Sequence, residues 1–129
     1  MLQNDLYTVE QLIREGNKLT VLIRVNPLHD IFKGHFPGNP ILPGVCIIQI
    51  LKDILAIHLG EMVVLIKIDI IKFLSFINPE INSKIKFDVD INVMENDIVL
   101  CNACLFFESV VFCRFKGSFR IRQVESARH

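Results

Sequence analysis

Between Pro43 and Gly60 the chain carries its one clear run of helical spacing. Ile47, Ile50, Leu51, Ile54 and Leu55, with His58, fall on one broad face, and the period is the 3.6 residues of an amphipathic helix. Proline suits the start of a helix and glycine its close, so the helix should begin around Pro43 and Gly44 and end near Gly60. Gln49, Lys52, Asp53 and Ala56 share a second stripe. On both sides the period drops to two. Leu19, Val21, Ile23 and Val25 alternate with mostly polar residues and predict a first strand over 18–25. Ile85, Phe87, Val89, Ile91 and Val93 alternate with Lys84, Lys86, Asp88, Asp90 and Asn92. Further strands are expected over about 97–107 and 110–122, after a short turn at Glu95-Asn96-Asp97. From Asn26 to Pro40, three prolines and two glycines break both periods and mark a structured loop. A single helix followed by a run of strands joined by short turns implies an α+β fold with a mainly antiparallel sheet.

Composition narrows the class. A length of 129 residues fits one domain spanning 1–129. A hydrophobic fraction of 51% and a mean hydropathy of +0.43 suggest apolar surface covered by a partner, most simply a second copy of the chain. The richest apolar stretch, Met62 to Ile71, is interrupted by Lys67 and Asp69, so no membrane span is expected. The opening MLQNDLYTVEQ lacks a basic and then apolar leader, which predicts a cytoplasmic protein. Fourteen basic and fourteen acidic residues cancel, which argues against nonspecific nucleic-acid binding and leaves any acidic partner to a local patch. Four cysteines in so apolar a chain read as buried thiols rather than a disulfide framework.

The loop and the helix start together read HDIFKGHFPGNPILPGVCIIQ from His29 to Gln49. This segment closely resembles the 3-hydroxyacyl-acyl-carrier-protein dehydratases of fatty-acid and related polyketide synthesis. Their GHFPGxPxxPGV signature is met without a gap by Gly34, His35, Phe36, Pro37, Gly38, Pro40, Pro43, Gly44 and Val45. Downstream, Ile71-Lys72-Phe73 leading to Asn78-Pro79-Glu80 is similar to the family's lysine-phenylalanine strand and the turn after it. The resemblance implies a hotdog fold, in which a long helix is wrapped by an antiparallel sheet. It also implies an obligate dimer whose active sites form across the subunit interface, and a carrier-bound acyl substrate. By the same resemblance His35 removes the proton alpha to the thioester carbonyl, the Gly44 and Val45 amides polarise that carbonyl, and position 49 protonates the departing hydroxyl. Physical chemistry agrees with the assignment. Unpaired N–H groups at a helix start stabilise charge developing on a carbonyl oxygen. An imidazole accepts and returns protons near neutral pH. Glycine at position 44 would let a substrate come close.

Position 49 departs from the family, which has an acid there where this chain has Gln49. An amide can hold a hydroxyl by hydrogen bonds but has no titratable proton to give. Asp53, one turn later, is the nearest alternative acid. Three functions remain open: a dehydratase in which His35 serves as base and acid while Gln49 orients the substrate; an accessory or heterodimer subunit whose homologous partner supplies the carboxylate; and a hotdog thioesterase.

Other residues have plainer readings. His29 either orients His35 or the substrate, or simply sits on the loop surface; His58 is expected to be structural. Cys101 and Cys104 form a CxxC, but on a strand residues three apart point to opposite faces, so neither a redox pair nor a zinc site follows. No cofactor or metal is expected. Cys46 reads as a small core residue, with lining of an acyl tunnel as its other reading. Arg114, Lys116, Arg120 and Arg122 alternate along the last strand and form either a solvated stripe or a surface for an acidic carrier protein. Phe73, Phe76, Phe106 and Phe107 are candidates to line an acyl tunnel.

Overall fold

A computed structural model describes residues 5–122, so the first four residues of the N-terminal stretch lie outside the described residues. Six strands form one antiparallel sheet: β1 Tyr7–Glu15, β2 Lys18–Val25, β3 Val63–Phe73, β4 Lys84–Val93, β5 Ile98–Phe107 and β6 Val110–Ile121. Their order across the sheet is β1-β2-β4-β5-β6-β3, which leaves β1 and β3 at the edges. A single helical turn, α1 (Ile31–Gly34), interrupts the loop after β2, and the long helix α2 spans Gly44–Leu59. The helix lies against the inner face of the sheet, the hotdog arrangement that the sequence resemblance implied.

Alternation explains why the helix and sheet meet as they do. Ile85, Phe87, Val89 and Ile91 of β4 turn inward, while Asp88 and Asp90 turn outward. Val99, Cys101, Ala103 and Leu105 repeat the pattern on β5, as do Phe115 and Phe119 on β6. Against this floor α2 buries Ile47, Ile50, Leu51, Ile54 and Leu55. The helix stops where its sequence says it should. Gly60 adopts a left-handed conformation (φ 74°) and its N–H returns to the Ala56 carbonyl, closing the last turn.

Two elements depart from the sequence reading. The strand over 18–25 is the second, because β1 precedes it and pairs with it through the hairpin at Gly16-Asn17. Its alternation is illegible because the register shifts between Val9 and Gln11: Tyr7 and Val9 face the core in one phase and Leu12 in the other. The loop of residues 26–40 also contains the short helix α1, which a Pro- and Gly-rich composition does not announce.

Edge strand β3 shows a different pattern. Val64, Ile66, Ile68 and Ile70 are all exposed, and the register with β6 shifts between Leu65 and Lys67 and again between Ile68 and Ile70. At the first irregularity the strands approach closely: a Cβ on Gly117 would stand 2.5 Å from the Lys67 carbonyl oxygen. Glycine at 117 is therefore required by backbone proximity.

Replacing Ile54, which has no exposure, with alanine should cost about 2–5 kcal/mol by lost transfer energy and a residual cavity. Urea unfolding measures this. A cost below ~1 kcal/mol would mean that the helix is not seated as described.

Candidate functional site

The helix α2 begins without a side-chain cap. Pro43 occupies the cap position in extended conformation, and its carbonyl accepts from the N–H groups of Cys46 and Ile47. The Gly44 and Val45 N–H groups find no acceptor among the described residues. Two donors thus stand at the positive end of the helix. The Val45 side chain is 75% exposed. Above Gly44 the space is filled rather than open, since a Cβ there would come within 2.9 Å of the Phe73 ring. The close approach that glycine permits is thus made by Phe73 at the end of β3.

His35 sits between α1 and α2, half-buried, with its ring stacked on Phe36 at a centroid distance of 4.2 Å. Its Nδ1 lies 3.1 Å from the Ile41 carbonyl oxygen. A carbonyl can only accept, so Nδ1 carries the hydrogen, and in the neutral ring the lone pair is on Nε2. The Ile41 N–H in turn donates to the His35 carbonyl oxygen at 2.9 Å. The loop therefore holds the imidazole in the tautomer a proton acceptor needs.

Gln49 lies four residues beyond Val45 on α2, and its Nε2 donates to Asp53 Oδ1 at 2.9 Å. The other oxygen of Asp53 accepts from the Tyr7 hydroxyl at 2.8 Å. Asp53 is 2% exposed and Tyr7 1%. Burial first, and then the hydrogen bond and charge of Asp53, hold the Tyr7 phenol well above its ordinary pKa, so it stays a donor. This buried pair was not legible in the sequence, because Tyr7 belongs to the strand whose register shift hid it. It also changes the reading of Asp53. Both carboxylate oxygens are turned to donors, which makes Asp53 a group that orients Gln49 rather than one that delivers a proton to a ligand.

The single chain brings the Gly44 and Val45 amides and Gln49 onto one helix, while His35 is held separately by the Ile41 carbonyl. His29 does not orient His35. Its Nδ1 accepts from the Ile31 N–H at 3.0 Å and its Nε2 faces Asp5 at 3.1 Å, so it fastens α1 to the N-terminal segment. His58 is half-buried rather than buried as its helical position implied. All four cysteines are free thiols, and Cys46 is buried. Burial, with Asp90 nearby, pushes the Cys101 thiol up to about 12. Cys104 points to the other face, as expected for a strand. Phe73 and Phe76 remain exposed, whereas Phe106 and Phe107 are half-buried on β5.

On the outer face of the sheet, register sets Asp88, Cys104, Arg114 and Lys72 side by side across β4, β5, β6 and β3. The next row carries Asp90, Asn102, Lys116 and Ile70. A shallow groove of about 390 Å³ lies over these residues. Lys18 pairs with Asp90 at 3.5 Å and Thr20 donates to Asp88, so the acids are engaged by β2. Arg114, Lys116, Arg120 and Lys72 make no ion pair among the described residues. Lys72 and Arg114 even stand directly opposite each other, a like-charge pairing that weakens a sheet.

The family profile described as ApeI-like, ApeI dehydratase, matches residues 11–100. A 3-hydroxyacyl-[acyl-carrier-protein] dehydratase FabZ of Ligilactobacillus salivarius is 28% identical over 120 residues, covering 88% of this chain and 84% of that protein. The FabZ of Caldicellulosiruptor saccharolyticus is 26% identical over 117 residues, covering 85% and 82%. Among solved structures, the dehydratase heterocomplex ApeI:P from Xenorhabdus doucetiae superposes with a TM-score of 0.70 at 18% identity, covering 87% of this chain and 96% of that one. A thioesterase from Staphylococcus aureus gives 0.66 at 9% identity, covering 95% and 98%, so the fold alone does not separate the two chemistries.

His58 generates a pH prediction. Its Nδ1 is buried without a hydrogen-bond partner among the described residues, and burial followed by the charge of Arg14 lowers its pKa from 6.5. A depressed folded-state pKa means the unfolded chain binds the proton more readily, so stability contributed by neutral His58 is full above 6.5 and is lost as pH falls through the depressed value. Denaturant midpoints at pH 7.5 and 5 should therefore differ less in His58→Gln than in the unaltered protein. Equal differences would remove His58 from the pH response.

Proposed function

The chain belongs to the ApeI-like dehydratase family, and from that premise we propose that it dehydrates 3-hydroxyacyl thioesters presented on acyl carrier protein, with His35 as both base and acid. The observation that carries this reading is the fixed tautomer of His35, which leaves Nε2 free to take a proton.

The reaction then runs in two proton transfers. Nε2 removes the proton alpha to the thioester carbonyl, and the charge moving onto the carbonyl oxygen is met by the Gly44 and Val45 N–H groups. Gln49 holds the β-hydroxyl. The imidazolium returns its proton to that hydroxyl, the C–O bond breaks, water leaves, and the double bond forms between the alpha and beta carbons. No cofactor or metal enters this sequence. Without a second titratable group one imidazole must serve twice, which predicts slower turnover than a carboxylate-assisted enzyme would give.

The reading places His35 of one subunit against α2 of another. The exposed apolar row Val64, Ile66, Ile68 and Ile70 on edge strand β3 supports a homodimer formed by strand pairing. A heterodimer is the second reading. It is favoured by Gln49 and by the similarity to a dehydratase solved as a heterocomplex, and it assigns the missing carboxylate to a homologous partner. The cations Arg114, Lys116, Arg120 and Lys72, which make no ion pair among the described residues, are the proposed docking surface for an acidic carrier protein.

Enoyl formation from 3-hydroxyacyl carrier protein tests the chemistry. His35→Ala should lower the rate by about 10²-fold or more, the usual worth of a positioned base. Unchanged activity in His35→Ala would remove it from the mechanism. Inactivity of the unaltered homodimer, restored by a homologue with an acid at the position of Gln49, would select the heterodimer.

Docking has its own test. The double change Arg114→Glu with Lys116→Glu should raise KM for the carrier-bound substrate about tenfold at low salt and leave the same acyl group on free pantetheine nearly unaffected. Equal effects on both substrates would place the carrier elsewhere.

A further inference from the structure

We infer that Tyr7 and Asp53 fix the amide of Gln49 with its carbonyl oxygen turned toward the ligand side, so that position 49 selects acyl groups bearing a hydrogen-bond donor on the β-carbon. The inference rests on the site proposed above, and it concerns what that site admits rather than whether it turns over.

The hydrogen-bonding capacity of each atom fixes the orientation of the amide. A carboxylate is acceptor-only, so the group it takes from Gln49 must be the amide nitrogen, as the 2.9 Å contact between Nε2 and Oδ1 has it. Turning the amide over would set oxygen against oxygen at that distance. Asp53 cannot swing away to relieve such a clash, because its second oxygen holds the Tyr7 hydroxyl at 2.8 Å and both residues are buried. Tyr7 comes from β1, 46 residues earlier, so sheet and helix together lock the amide. Gln49 itself is only half-buried, and Val45 one turn earlier on the same stripe is exposed. With Nε2 held by Asp53, the carbonyl oxygen of half-buried Gln49 is left to accept from a ligand.

An acceptor in that place receives the O–H of a β-hydroxyl and leaves the lone pairs of the hydroxyl oxygen free to be protonated. It meets a β-ketone acceptor to acceptor. Tyr7 and Asp53 are positioning residues, and their effect is a choice between substrate classes.

Binding of unreactive pantetheine amides tests this by calorimetry, using three acyl groups of one length: 3-hydroxy, 3-oxo and saturated. The unaltered protein should bind the 3-hydroxy compound about tenfold more tightly than the 3-oxo compound, the order expected when a hydrogen bond is exchanged for two opposed acceptors. In Asp53→Asn the amide of residue 49 is free to turn either way, and the ratio should fall close to one. The saturated compound should bind within about twofold of its original affinity, which shows the site intact. Tyr7→Phe keeps the carboxylate but loosens it, and should lower the ratio in part, providing a second variant if Asp53→Asn fails to fold. A ratio near one in the unaltered protein, or a tenfold ratio surviving in Asp53→Asn, overturns the inference. Discrimination in a protein that forms no enoyl product upholds it while removing the dehydratase reading.

Discussion

Everything positioned in this molecule depends on the burial of one face of α2 against the inner face of a six-stranded sheet. Ile50, Ile54 and Leu55 have no exposure, and the inward residues of β2, β4, β5 and β6 enclose them. That packing fixes the helix about its axis. It therefore determines which residues are left on the other side, and those are Val45 and Gln49 at the end where the backbone donors are unpaired. A helix free to rotate by one residue, about 100°, would carry Gln49 away from its buried partner.

The polar exception in the core is the consequence of most interest. Burying a carboxylate is costly unless it is hydrogen-bonded, and Asp53 meets that demand with Tyr7 and Gln49. The arrangement gives position 49 a definite orientation in a chain that lacks the family's acid there. What appears in the sequence as a loss is, in the structure, an amide held by a buried pair.

Much of this was legible beforehand, for reasons that differ by element. The helix and strands β4 and β5 could be read because each buries one face only, which leaves clean periods of 3.6 and two. The hotdog arrangement and the candidate residues His35, Gly44, Val45 and Gln49 followed from the family resemblance that the motif carries. Strand β1 was missed because a register shift divides its core-facing residues between two phases. The partnership of Asp53 with Tyr7 was hidden for a related cause: it joins residues far apart in sequence, and a helical wheel shows only that Asp53 follows Gln49 by one turn. His29 could be placed in the loop but not given its partners, because the Ile31 N–H and Asp5 meet it only once α1 has formed.

The central claim is that His35 moves a proton at the carbon alpha to a thioester. Running the reaction backwards in deuterated water tests this most directly. An enoyl thioester on carrier protein should be hydrated to the 3-hydroxyacyl product with one deuterium at the alpha carbon, and His35→Ala should abolish the labelled product. Release of free acid without hydration, or labelled product formed equally well by His35→Ala, would contradict the account.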